Sequence, residues 1–286
     1  MEDEVPFRAI GGARRPRRTP PAAASLAAAL LATLALTGCQ SDATAQGSHA
    51  DPAQVDALEP PETGECRLLT LADVDRPSNA TATVPCVDPH TAETFAAGSL
   101  PAEFDDAAYD DRGLGSFAYD TCGREFMDFL GADESLSMRT ILSWTMFRPS
   151  ETAWDRGARW YRCDVIGGGA HSKTLITLPD EARGLLKKPV DKWLACVKGR
   201  SVDTAPRVPC SDRHTYRAVT TIRLGKPDDD YPGDKVVAQR TRSFCGDSVA
   251  AWLGYPARYS YAYTWFPESD WDAGNRRSVC WARTDQ

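Results

Sequence analysis

The sequence predicts an α+β fold built twice: two homologous units, each a small antiparallel sheet with one helix, stapled by disulfides. Three observations carry this: an internal repeat, matching sets of four cysteines, and alternation between two-residue and helical apolar spacing within each copy. Val84-Pro85-Cys86-Val87-Asp88-Pro89-His90 returns as Val208-Pro209-Cys210-Ser211-Asp212-Arg213-His214. Cys122-Gly123, with Phe129-Leu130-Gly131 after it, returns at identical spacing as Cys245-Gly246 and Trp252-Leu253-Gly254. Pro149, Trp154-Asp155-Arg156-Gly157-Ala158-Arg159 and Cys163 return as Pro267, Trp271-Asp272-Ala273-Gly274-Asn275-Arg276 and Cys280. Trp and Cys are nine steps apart both times, a register that chance does not produce. The units span 64–166 and 193–284. Between them, 167–192 reads as a linker with Gly167-Gly168-Gly169 and a short amphipathic segment around Pro179 to Leu186.

Within each unit the expected order is about three strands, one helix and two strands. Short strands fall around Cys86 and Cys210, then over Ala92 to Leu100 and Tyr216 to Leu224. Val237, Thr241, Phe244, Cys245, Ser248, Val249 and Trp252 recur at helical spacing, which predicts a helix over Val236 to Leu253; Phe117 to Leu130 plays that part in the first unit. Tyr259, Tyr261, Tyr263 and Trp265 alternate with small residues and share one face of a strand, with Leu142, Trp144 and Met146 as counterparts.

The cysteines are Cys66, Cys86, Cys122 and Cys163 in the first unit and Cys196, Cys210, Cys245 and Cys280 in the second. Four cysteines allow three connectivities. First-to-second and third-to-fourth is favoured, because the first two flank a hairpin and the last two sit on the helix and its following strand. Each bridge should add about 3 to 4 kcal/mol in the chain-entropy account, which matters for units of about 100 residues or fewer.

At the N-terminus, Arg14, Arg15, Arg17 and Arg18 precede an Ala/Leu run from Ala22 to Leu36, the charged and apolar regions of an export signal. The run is shorter than the roughly 20 residues of a membrane-spanning helix. It ends in Leu36-Thr37-Gly38-Cys39, which resembles the lipobox of bacterial lipoproteins. That resemblance makes 1–39 a lipoprotein signal peptide and Cys39 the lipidated residue, and places the protein on the extracytoplasmic face of the cell membrane. An exported chain is in the right compartment for disulfides. Residues 40–63, rich in Ala, Asp, Pro, Ser and Gly, read as a flexible tether.

Charge and motif content exclude several classes. The chain carries −7 overall; beyond Cys39, 28 basic side chains face 37 acidic ones, and no basic stripe is present to track a nucleic-acid backbone. The cysteines never form the CxxC pairs of structural zinc sites, and no cofactor is called for. GxSxG, Ser-x-x-Lys, HExxH and P-loop motifs are missing, so the expectation is a protein that is not an enzyme.

Two repeated constellations remain as possible ligand or partner contacts. Asp88 with His90, and Asp212 with His214, point the same way from an extended chain and could poise a proton donor or hold a ligand. Glu93 adds a third group in the first unit, but Arg217 stands at its counterpart, so no metal is expected; the favoured reading is a turn whose Asp and His bond the backbone beside the disulfide. Trp154 and Trp271 could form a carbohydrate or peptide platform. The favoured alternative has each Trp covering a sheet edge while Gly157 or Gly274 turns the chain and Arg159 or Arg276 pairs with the neighbouring Asp. The acidic clusters Asp105-Asp106, Asp110-Asp111 and Asp228-Asp229-Asp230 read as helix-capping and solvated groups.

The combination of the VPCxxxH turn, a helix bearing Cys-Gly, and the W-D-x-G-x-R-x(3)-C ending resembles the actinobacterial septum formation family, in both units. Arg, Ala and Asp usage also fits an actinobacterial source. The resemblance implies an envelope protein with a part in building the division septum and carries no catalytic residues with it. The expectation is therefore a lipid-anchored protein that binds an envelope protein or cell-wall partner; the alternative is a solute-binding or sensing lipoprotein with its ligand between the units. A flat exposed aromatic patch would favour the first and a deep apolar pocket between the units the second.

Overall fold

The computed structural model describes residues 50–169 and 171–285; Cys39, the signal-like segment and residues 40–49 lie outside the described residues. Two five-stranded antiparallel sheets repeat one topology. The first holds β1 (Cys66–Arg67), β2 (Thr83–Val84), β3 (Ala92–Ser99), β4 (Ser143–Phe147) and β5 (Trp160–Ile166), ordered β2-β1-β3-β5-β4. The second holds β6 (Ala195–Val197), β7 (Arg207–Pro209), β8 (Tyr216–Arg223), β9 (Tyr261–Thr264) and β10 (Arg277–Arg283), ordered β7-β6-β8-β10-β9. β3 and β4 both pair antiparallel with β5, so they run the same way and need a crossover between them. A long helix supplies it, Gly113–Leu130 in the first copy and Asp234–Trp252 in the second. This is the expected α+β arrangement in duplicate.

Sequence spacing explains how each helix docks. Leu114, Ala118, Cys122 and Phe126 recur every four residues and are all buried, as are Val237, Thr241, Cys245 and Val249. Gly131 closes the first helix at φ 70°, a left-handed cap that favours glycine. Disulfides Cys122–Cys163 and Cys245–Cys280 bolt each helix to the strand beneath, while Cys66–Cys86 and Cys196–Cys210 close β1 on β2 and β6 on β7. The glycine after each helical cysteine seats an edge-strand aromatic: a Cβ on Gly246 would stand 3.2 Å from the Tyr261 hydroxyl, and one on Gly123 would be 3.9 Å from the Trp144 ring.

Two segments depart from expectation. Residues 50–63 are folded and do not form a free tether. Asp51 donates to the Ala80 carbonyl at 2.7 Å, Ser150 to Val55 at 2.9 Å and the Trp160 indole to Ala57 at 2.9 Å, and Val55 is buried. The expected linker is likewise a strap laid along the first core. Leu178, Ala182 and Leu186 are buried in it with Phe126, Phe129 and Trp193. Gly184 and Leu186 donate to the Phe129 and Leu130 carbonyls, which the helix leaves open at its C-terminus.

Residues 50–63 are held down partly by a buried polar network on the outer face of the first sheet, beside the apolar Ala92, Phe147 and Ile166 of the same face. Arg67 donates to Thr94 at 2.8 Å, Gln54 at 2.7 Å and Glu65 at 2.5 Å. Thr94 donates to Asp164 at 2.7 Å, and the Asp164 carboxylate lies 3.1 Å from Arg162 Nε. Burial pulls the Arg162 guanidinium down, only partly offset by Asp164. Strand register makes Val197, Ala218, Val279 and Trp281 the counterparts of Arg67, Thr94, Arg162 and Asp164, and these four pack as an apolar cluster. One fold thus centres the same face on a charged network in one copy and on an apolar cluster in the other.

Candidate functional site

The repeated turn ahead of β3 and β8 positions each histidine by main-chain bonding. Asp88 N–H donates to the Pro85 carbonyl at 2.9 Å and Asp212 N–H to Pro209 at 3.0 Å, closing the turn. His90 Nδ1 lies 2.8 Å from the Asp88 carbonyl and His214 Nδ1 2.7 Å from that of Asp212. A carbonyl only accepts, so Nδ1 carries the proton, and in the neutral ring Nε2 is the nitrogen with the lone pair. The histidines thus bond the backbone of the turn as expected, whereas the exposed Asp88 and Asp212 carboxylates make no bond to it. Both histidines are buried, and Nε2 of each has no hydrogen-bond partner.

In the first copy this ring joins a cluster. Donor atoms of Cys66, His90 and Glu93 all lie within 4.8 Å of one another. Cys66 and Glu93 are directly opposed across β1 and β3. Glu93 accepts from the Ala182 N–H at 2.9 Å, so the strap covers the cluster, and burial pushes its carboxyl up against that bond. With Cys66 tied to Cys86, two free donors are left, fewer than the four of a structural zinc site. In the second copy Arg217 takes Glu93's register place opposite Cys196 and pairs with Asp191 at 2.6 Å.

Trp154 and Trp271 do not form a platform. Each is 3% exposed and donates from its indole to a loop carbonyl, Trp154 to Ala107 at 3.0 Å and Trp271 to Asp229 at 2.9 Å. Arg159 and Arg276 do not pair with the neighbouring Asp either. Their guanidinium groups lie 4.1 and 3.9 Å from the Trp ring centroids. They donate to main-chain carbonyls, Arg159 to Phe104, Asp105, Trp154 and Ala158, Arg276 to Lys226, Pro227, Trp271 and Asn275. The glycine between, at φ 95° in Gly157 and 112° in Gly274, reverses the chain so that Arg returns over the Trp five residues before it. The repeated Trp–Arg pair is therefore a clamp on the acidic loop before each long helix.

Two surface features carry more binding potential. Among the described residues, the exposed aromatic side chains are Phe244, Trp252, Tyr255, Tyr259 and Trp265, all in the second copy. Of these, Tyr259 and Trp265 flank Tyr261 and Tyr263 along edge strand β9, with ring centroids 6.0 Å apart for Tyr259–Tyr261 and 5.9 Å for Tyr263–Trp265. The Tyr259 and Tyr261 hydroxyls donate to the Gly246 and Arg242 carbonyls, which lays the row down on the helix. The alternation was legible in the sequence, but its partial exposure follows from β9 being an edge. The second feature is a half-open cleft of about 600 Å³ where the copies meet, lined by Tyr119, Asp120, Arg124, Trp144, Arg223 and Asn275 among others. Its Glu134 is held by Arg277 at 2.7 Å and Arg223 at 3.6 Å. Burial and Glu134 push the Tyr119 hydroxyl up. No motif marks these residues, because they converge only when the copies pack.

A family model described as "Septum formation" matches the chain twice in tandem, over residues 33–147 and 139–280. No curated protein and no solved structure matches it.

Proposed function

Because the chain belongs to the septum formation family, we propose that it is a non-enzymatic, lipid-anchored envelope protein that binds a protein or cell-wall partner while the septum is built. The observation that supports binding is the aromatic row of β9. Tyr and Trp give large contact area at low entropic cost, and they dominate binding energy where they become buried. The experiment is crosslinking in live cells from a photoreactive residue at position 259 or 265, with position 151 on an exposed short helix of the first copy as control. The expected result is one defined partner captured from the row and not from 151. Equal capture from all three positions, or none, overturns the reading.

Anchoring rests on the lipobox-like Leu36-Thr37-Gly38-Cys39. Among the described residues no helix is long and apolar enough to cross a membrane. Several acyl chains on one cysteine give a stable anchor where one chain would not. Cys39→Ala is expected to release the protein from membranes or leave it unprocessed. A processed variant that still fractionates with membranes contradicts lipidation.

The alternative, a solute-binding or sensing lipoprotein, is favoured by the cleft between the copies, whose size suits a small ligand. Its Glu134 is already paired with arginines, which leaves fewer free groups to fix a solute. A small molecule co-purifying with the native protein at one per chain, and lost in Trp144→Ala, would establish this reading instead.

A further inference from the structure

We propose that opening the Cys66–Cys86 bridge converts the buried cluster of the first copy into a site for a divalent cation of the zinc type, with Cys66, Cys86, His90 and Glu93 as its four ligands. The bridge is distinguished from the others by access. Cys122, Cys163, Cys196, Cys210, Cys245 and Cys280 are all buried, whereas Cys86 is partly exposed on a turn whose Val87 is 75% exposed. Disulfide exchange needs a thiolate to reach a sulfur, and among the four bridges Cys86 offers that approach. A dithiol reductant attacks Cys86 Sγ and expels the Cys66 thiolate. Its second sulfur then releases Cys86. Two electrons pass to the bridge, which becomes two thiols, and the reductant ends as a disulfide. Cation binding then displaces both thiol protons to solvent.

The other two donors are already in place. His90 is 1% exposed and presents a bare Nε2, while its Nδ1–H is pinned to the Asp88 carbonyl, the outer bond that orients metal-ligating imidazoles. Glu93 has one carboxylate oxygen held by the Ala182 N–H and the other free to ligate. Two sulfurs, one nitrogen and one oxygen suit tetrahedral zinc. Zinc bonds of about 2.0 to 2.3 Å set ligand atoms roughly 3.3 to 3.8 Å apart, so Cys66, His90 and Glu93 must close by about 1 Å from their present 4.8 Å limit, and Cys86, which stands outside that cluster, must swing in once the bridge opens. The second copy is a built-in control. It has the turn and the bare His214 Nε2, but both cysteines of its bridge are buried and Arg217 stands where Glu93 would.

The test uses the full chain, reduced gently with a phosphine that does not compete for metal. Mass spectrometry of alkylated peptides monitors the reduction until Cys66 and Cys86 are open and the other six cysteines are not. Zinc alone is then added, the excess dialysed away and the metal counted, with cobalt as a spectroscopic probe of thiolate ligation. The expected result is one zinc per reduced chain, none in the oxidised chain, and a thiolate-to-cobalt absorption band. His90→Gln and Glu93→Gln are each expected to weaken zinc binding about 100-fold or more, beyond typical outer-bond effects, while His214→Gln leaves it unchanged. No zinc in the open chain, two zincs per chain, or indifference to Glu93→Gln overturns the proposal. So does loss of the folded circular-dichroism signal on opening the bridge that zinc does not restore.

Discussion

Asp164→Leu is expected to destabilise the protein by about 3 to 5 kcal/mol, the cost of leaving a buried charge without its partner. Asp164 is fully buried, accepts from Thr94 and sits beside Arg162, whose guanidinium has little else within reach. Urea unfolding followed by tryptophan fluorescence measures this, since Trp160 packs on the neighbouring chain segment. The double change Arg162→Met with Asp164→Leu is expected to recover much of the loss, because removing both charges removes the desolvation cost. The second copy already manages the same face with Val279 and Trp281. A double variant at least as unstable as Asp164→Leu alone would show that packing, not charge, decides the site.

Replacing Cys122 and Cys163 together with Ala is expected to cost about 4 kcal/mol, from a bridge that closes 41 residues. Both sulfurs are buried between the helix and the sheet, so the lost packing adds to the loop term. The corresponding change at Cys196 and Cys210, which close 14 residues, should cost about 3 kcal/mol. Thermal unfolding of the two variants should therefore rank them in that order. The reverse order would mean that native-state strain or residual structure in the unfolded chain outweighs loop length.

The duplicated architecture was legible because each signal occurs twice and in register. Periodicity located both long helices to within about four residues at their starts, and the aromatic alternation located β9. The misses have physical causes. Arg162 and Asp164 alternate with Cys163 and Val165, a pattern that reads as a strand with one wet face. Nothing local says that residues 50–63 will cover that face, because the covering bonds join positions up to 103 apart. Arg159 looked like an ion-pair partner since Asp155 is four residues away, yet the Gly157 turn points it at Trp154 and at carbonyls left open in the loop. The cluster at Cys66 was only partly visible. His90 stood in the repeated turn and Glu93 three residues after it, but Cys66 lies 24 residues earlier in the chain, and their convergence depends on β1 lying against β3.

The strap between the copies separates the unit that was duplicated from the unit that folds. By homology the first copy ends at Ile166, but its interior is finished by Leu178, Ala182, Leu186 and Trp193, which come later in the chain. The seam is then sewn from both sides: Ile141 N–H donates to the Trp193 carbonyl, Ala195 N–H to that of Arg139, and Arg277 reaches back to Glu134. The first copy's interior is complete only with the strap, and the shared seam ties it to the second copy, so the two are expected to unfold in one cooperative transition rather than as beads on a string. The duplication thus left two copies joined along a hydrogen-bonded seam, each presenting a different outer face.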